Sequence, residues 1–329
     1  MGLLLPAVNS ARESARRLQC CNNVKQMALA CISYEQQNKC FPPSATAASA
    51  PTSSSSYNTK KVKPNWIILC LSCMDQQALY DEIMGMIKQN SGSPYIDVEI
   101  TLNNTNNQVT MARARKTEIS FFKCPSDPNC RSPFTNGSST DKWGRCNYGA
   151  NAGLRYLHEM ADVSVWQKAS VRGVMGPGIA IPVGDIIDGA SNTVLLGELR
   201  AGISGKDARG TWAMGGSGSS GIAGHGWYGD CKGPNALTIK ADDVVNCPSL
   251  GNPDELIQLK MPCSADWSDV NTQATMRSMH AGGVHCAFAD GSTHWISDNI
   301  DAGKDENNRR VWDFLNSSSD RSSVSSDTY

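Results

Sequence analysis

Leu3-Leu4-Leu5-Pro6-Ala7-Val8-Asn9-Ser10-Ala11-Arg12-Glu13 opens a run that continues to Asn38 with no proline or glycine after Pro6. Counted in steps of three and four, Leu4, Val8, Ala11, Ala15, Leu18, Cys21, Val24, Ala28, Cys31 and Tyr34 form one apolar stripe. Arg12, Glu13, Arg16, Arg17, Asn22, Asn23 and Lys25 fall mostly off it. Ala, Leu, Arg, Gln, Met and Lys dominate the run, and all are good helix formers. Pro6 is tolerated near a first turn or as a kink in a longer helix. Phe41-Pro42-Pro43 ends the run, because proline disfavours helical geometry in the residue before it. The spacing therefore predicts a helix of roughly 30 residues, about 45 Å long. Such a helix is either a one-sided core element or the lower part of a membrane-to-surface spine.

The chain has 329 residues, enough for a sizeable core. Its 30 Lys+Arg against 31 Asp+Glu make no general electrostatic case for nucleic acid. The 29 glycines, with many Ser, Asn and Thr, point to a turn-rich β protein beyond the helix. No run of 18 apolar residues is present, so no transmembrane helix is expected within the chain. Leu3–Leu5 is too short for the apolar stretch of a signal peptide. Thirteen cysteines favour an oxidising compartment, and their number leaves the pairing open. Cys70-Leu71-Ser72-Cys73 lacks the second, similarly spaced pair that a structural zinc site needs.

Further along, residues 44–59 form a Ser/Thr/Ala-rich loop. Trp66 through Ile83 reads as a second helix of roughly 20 residues. Ile119–Cys124 reads as a short strand closed by Pro125-Ser126-Asp127-Pro128. Tyr148–Leu157 and Val171–Met175 are further strands or core segments, and Val183–Ile187 with Thr193–Leu199 form a helix-or-strand pair. The clearest hairpin is Val284–Ser297 around Asp290-Gly291. A two-residue turn there pairs Phe288 with Thr293, Cys286 with Trp295 and His285 with Ile296. From Asn316 the Ser/Asp-rich tail is expected to be flexible.

Several blocks carry a family likeness. LLLPAVNSARESARRLQCCNNVKQMALACISYEQQNKCFPPS resembles the segment after the hydrophobic leader of the planctomycete prepilin-like proteins of the DUF1559 family. That family is also filed as solute-binding-like. The likeness continues through Trp66-Ile67, Asp75–Asp81, Phe122–Pro128, Asn147-Tyr148 with Asn151, Asp185–Thr193, Gly197-Glu198, Ser278–Gly283 and Asp290-Gly291-Ser292. The resemblance implies a pilin-like α+β protein: a long N-terminal helix (residues 1–40) packed on a mostly antiparallel β domain with long loops (41–315), then a tail (316–329). It also implies a processing site and hydrophobic segment upstream of the LLLPAV run, envelope localisation through an inner-membrane anchor, and no catalysis. Assembly with copies of itself or other pilin-like subunits is then expected through Leu3, Leu4, Leu5, Val8, Ala11, Ala15 and Leu18. Cys20 and Cys124 match positions where the family usually has cysteine. The expected role is a structural or accessory part of a type II secretion or type IV pilus-like surface assembly. The alternative is a membrane-tethered solute- or glycan-binding module that uses Trp212, His225, Trp227 and Tyr228.

The family hallmark places nine residues between His280 and Asp290. A strand of that length holds its ends about 20 Å apart, too far for a hydrogen bond. His280, Gly282 and Gly283 are therefore expected to shape the hairpin entry, with the imidazole on loop backbone, while Asp290 and Gly291 form the turn. His285 and His294, expected on one face, are a thin metal pair. No cofactor is expected apart from calcium, for which Asp298, Asp301 and Asp305 gather oxygen ligands around Gly303 without EF-hand spacing. Gly216-Ser217-Gly218-Ser219-Ser220-Gly221 fits a dinucleotide-type glycine pattern but lacks a following helix, so a flexible loop is expected.

Overall fold

The computed structural model describes residues 4–46, 64–90, 113–135, 142–224, 231–244, 246–265, 273–303, 308–322, 324–325 and 327. Helix α1 (Leu4–Asn38) is 35 residues long, about 52 Å at the standard rise. It ends at Lys39, whose φ of 63° takes the chain out of the helix. The expected second helix is broken in two. Asn65 caps α2 (Trp66–Cys70), a tight turn follows over Leu71–Met74, and Asp75 adopts a left-handed φ of 57° before α3 (Gln77–Asn90). Nor is Ile119–Cys124 a strand, because Ser120–Phe122 forms a single 3-10 turn that buries Phe122.

The strands are β1 (Tyr148–Asn151), β2 (Met175–Gly176), β3 (Ile179–Ala180), β4 (Val194–Glu198), β5 (Gly221–Ile222), β6 (Gly283–Phe288) and β7 (Thr293–Ser297). β2 and β3 pair alone; the others form one sheet ordered β5-β1-β4-β6-β7, antiparallel except for the β1–β5 edge. The architecture is α+β, as expected. The lower half of α1 covers one sheet face with Val24, Met27, Ala28 and Cys31 against Trp66, Ile68, Tyr148, Leu196 and Ala287. The other face carries Val284, Cys286, Phe288 and Ile296, closed by Trp312 and Leu315 of the helix Val311–Asn316. Val194 packs on this second face although Leu196 packs on the first. A bulge between them, opposite Phe288 and Ala287, shifts the alternation by one.

The hairpin lies one residue away from its expected register. Ala287 pairs with Thr293, Cys286 with His294 and His285 with Trp295. The Phe288 amide donates to Ser292 O and the Gly291 amide to Phe288 O, with Gly291 at φ 85°. That is a three-residue loop with a left-handed glycine in place of a two-residue turn. Because side chains alternate, the slip exchanges faces. Trp295 joins His285 on the α1 side, while His294 joins Cys286 and Phe288 on the other. The expected pairing of His285 with His294 on one face is thereby overturned.

The Ser-rich segment after Asn316 is docked as far as it is described. Ser317, Ser318 and Ser319 are buried, Ser318 exchanges backbone hydrogen bonds with Arg172 and Ile187, and Asp188 accepts from the Asp320 and Arg321 amides. The glycine-rich loop is likewise not free: residues 216–221 are buried and lead straight into β5. Asn65 and the Trp66 indole hold it through Ser220.

Under this loop lies a buried ion network. Asp242 pairs with Arg209 at 2.9 Å and Arg277 at 2.8 Å, and Asp207 closes on Arg209 at 2.8 Å. Removing the Asp242 carboxylate would leave the Arg277 guanidinium buried without its counter-charge and Arg209 with Asp207 alone. Asp242→Asn should cost about 3–5 kcal/mol, read as a lower midpoint in chemical denaturation.

Candidate functional site

One polar cluster joins the helix to the sheet. The face of α1 that enters the body is set by Glu13, Arg17, Cys20 and Val24, which lie three to four residues apart. Cys20 forms a disulfide with Cys124, closing a sequence separation of 104 at a Cα–Cα distance of 5.2 Å. Cys124 is held in turn by Asn147, whose Oδ1 accepts the Cys124 amide at 2.8 Å while its amide nitrogen donates to Asp127. Asp127 is buried and also accepts the Ala201 amide, so the Cys-Pro-Ser-Asp-Pro block is fastened to the end of β4.

His280 reaches the same point from the turn before β6. Ser278 Oγ donates to Gly283 O and accepts the His280 amide, and Gly282 turns the chain at φ 91°. Gly283 is required by close approach: a Cβ there would lie 2.2 Å from Ile296 O. The imidazole does not bond loop backbone, as was expected. Its Nδ1 meets Glu13 Oε1 at 2.8 Å, and its Nε2 faces Cys124 Sγ at 3.4 Å and Glu198 Oε1 at 3.5 Å.

Glu198, the last residue of β4, is buried to 1% exposure. Its Oε2 accepts the His285 amide at 2.8 Å, and its Oε1 has no hydrogen-bond partner beyond the His280 Nε2 at 3.5 Å. Both ring nitrogens of buried His285 are unpartnered as well. The His285 ring stands edge-on to Trp295 at 4.9 Å, and the Arg17 guanidinium lies 3.3 Å above the Trp295 ring. Cys20, Cys124, Glu198 and His280 bring one ligand atom each to within 4.8 Å of one another, the one such metal-capable group among the described residues.

The electrostatics follow from these contacts. Burial works against a charged His280, yet hydrogen bonding and charge from Glu198 and Glu13 outweigh it and raise its pKa above 6.5. Burial pushes Glu13 up, but its bonds to His280 and Ser126 and the charge of Arg16 leave it lowered from 4.5. His285 is driven down by burial and stays neutral. As a disulfide the site has no nucleophile, and what it does chemically is bind the helix by a covalent bond and an ion pair.

Asp290 takes no part. Its carboxylate accepts the Ser292 amide and hydroxyl inside the turn, away from His280. Trp212 is fully buried, its indole donating to Thr117 O, so it is core and no ligand surface; His225, Trp227 and Tyr228 lie outside the described residues. Of the calcium candidates, Asp298 accepts from Asn235 at 2.7 Å and Asp301 faces Arg310 at 3.9 Å, while Asp305 lies outside the described residues. Glu13 stood inside the helix block and Glu198 in the Gly197-Glu198 likeness, neither with a role assigned to it. The available signal was that Glu13 stands at helical spacing above Cys20 and Val24, on the face that becomes buried.

Two outcomes are expected. Opening the disulfide by Cys20→Ser with Cys124→Ser should lower stability by about 2–5 kcal/mol in denaturation. In the oxidised protein, the raised pKa of His280 makes its ion pair fully present below pH 6.5 and lost as pH rises through the folded-state value. The stability advantage of the native chain over Glu13→Gln, followed by thermal unfolding, should therefore shrink as pH rises above 6.5.

The chain matches the family described as a protein of unknown function, DUF1559, over residues 9–303. No curated protein and no solved structure matches it. The match spans the spine helix, Cys124, Glu198 and His280 alike, and the chain belongs to the DUF1559 family.

Proposed function

We propose that the chain is a non-enzymatic, pilin-like subunit or accessory of a type II secretion or type IV pilus-like cell-surface assembly, built through its N-terminal helix. The observation that carries this is the division of α1 into two faces. Glu13, Arg17, Cys20 and Val24 turn toward the body. Val8, Ala11, Ala15 and Leu18 fall on the opposite side of the same turns and are exposed, Val8 to 44% and Leu18 to 67%. Leu3 and the side chains of Leu4 and Leu5 are outside the described residues.

Apolar side chains repeated at helical spacing and facing water gain burial by packing on a like helix. The partner in this reading is a second copy or a related subunit. No helix among the described residues is long and apolar enough to cross a membrane. The solute-binding alternative has lost Trp212 to the core and has no observation in its favour.

Val8→Asp and Leu18→Asp test the reading. Each should weaken self-association by about tenfold to a hundredfold, the worth of one buried aliphatic side chain, in sedimentation of the anchored chain. Both positions are exposed, so unfolding of the globular part should shift by no more than about 0.5 kcal/mol. Unchanged association in both variants would discard the helix-mediated assembly.

A further inference from the structure

We propose that, with its cysteines in the dithiol form, the Cys20–Cys124–His280–Glu198 cluster is a zinc site, and that zinc and the disulfide are alternative staples between α1 and the body. Reduced Cys20 and Cys124 supply two thiolates, His280 a ring nitrogen and Glu198 a carboxylate oxygen. Four such ligands make a tetrahedral site for a borderline-soft cation, and thiolates favour zinc over calcium or magnesium.

The geometry is already close. Zn–S and Zn–N bonds of about 2.3 Å and 2.0 Å imply ligand-to-ligand edges of about 3.3–3.8 Å in a tetrahedron. His280 Nε2 stands 3.4 Å from Cys124 Sγ and 3.5 Å from Glu198 Oε1, and all four ligand atoms fall within 4.8 Å. The two sulfurs must part by side-chain rotation, and the other edges close from within 4.8 Å.

Two observations independent of the cysteines point to a cation. Glu198 Oε1 is a carboxylate oxygen at a residue 1% exposed, aimed into the cluster with no partner but the His280 Nε2 at 3.5 Å, and when that nitrogen is deprotonated the oxygen calls for another counter-charge. On the far side of the imidazole, Glu13 holds Nδ1 at 2.8 Å. A carboxylate on one ring nitrogen fixes the proton there and directs the lone pair of the other inward, the arrangement that orients metal-bound histidines.

The chemistry balances without an unnamed reactant. An external dithiol transfers two electrons and two protons to the Cys20–Cys124 bond, becoming a disulfide and leaving two thiols. Zinc then displaces the two thiol protons to solvent, together with the His280 Nε2 proton where the ring is charged. In the reverse direction an external disulfide takes the two electrons and two protons from solvent and becomes a dithiol, the Cys20–Cys124 bond forms and the zinc leaves. Throughout, α1 stays tied to the block at Cys124, so the helix can be held before the chain reaches an oxidising compartment.

The test uses the full chain, reduced with a dithiol, freed of reductant without air and titrated with Co(II) and then Zn(II). The expected result is one equivalent of Co(II) with a thiolate-to-cobalt charge-transfer band, displaced by Zn(II) and absent from the oxidised chain. Zinc should slow alkylation of Cys20 and Cys124 at least about tenfold on peptide mapping, with Cys40 and Cys73 as unprotected internal controls. Glu198→Gln should weaken binding, and Glu13→Gln should weaken it about 10–100-fold. A band of equal strength in the oxidised chain or in Cys20→Ser would place the metal on other cysteines and overturn the proposal. So would a reduced chain with native circular dichroism and no band. If reduction unfolds the chain, recovery of the fold by zinc with protection of Cys20 and Cys124 supports the site, and failure to recover overturns it.

Discussion

The attachment of α1 to the block at Cys124 is the constraint on which the rest depends. A 35-residue helix whose first nine residues run past the last contact with the body has no reason of its own to dock at one particular angle. The Cys20–Cys124 bond supplies one point of attachment and the Glu13–His280 contact another, two helical turns nearer the N-terminus. Below them Val24, Met27, Ala28 and Cys31 pack on the sheet. Hydrophobic burial holds the lower half of the helix, and covalent and polar contacts set where the projecting part begins.

The sheet is shaped to present those contacts. Glu198 ends β4 opposite Tyr148, and the Tyr148 hydroxyl donates to Cys20 O at 3.3 Å. The three-residue loop at Asp290-Gly291 sets the register that turns His285 and Trp295 toward α1. There Trp295 takes the Arg17 guanidinium over its ring, and His285 gives its amide to Glu198. With a two-residue turn, His294 and Trp295 would have exchanged faces and the helix would have met a different surface. The His280-to-Asp290 hallmark therefore brackets a strand whose two ends do separate work: one ties the helix, the other sets the register.

The same helix turns carry two different faces. Polar Glu13 and Arg17 go inward, where specific partners await them, and apolar Val8, Ala11, Ala15 and Leu18 stay outside. This inverts the usual rule for a surface helix, and the inversion is a physical argument for a partner. Val8 and Leu18 on this face are among the exposed large apolar side chains of the described residues.

Local pattern alone was enough for the long helix, its end before Phe41, the lower stripe of Val24, Ala28 and Cys31, and a hairpin centred on Asp290-Gly291. These are short-range properties: propensity, 3.6-residue periodicity and the left-handed tolerance of glycine act within a few residues. Family likeness added the α+β architecture and the weight on Cys20 and Cys124. Tertiary structure alone decided the hairpin register, the break at Asp75, the burial of Trp212 and the glycine-rich loop, and which face of the upper helix turns inward. It alone joined Glu13, Cys124, Glu198 and His280, because residues separated by up to 267 positions meet only when the chain has closed on itself, and no local periodicity encodes that encounter.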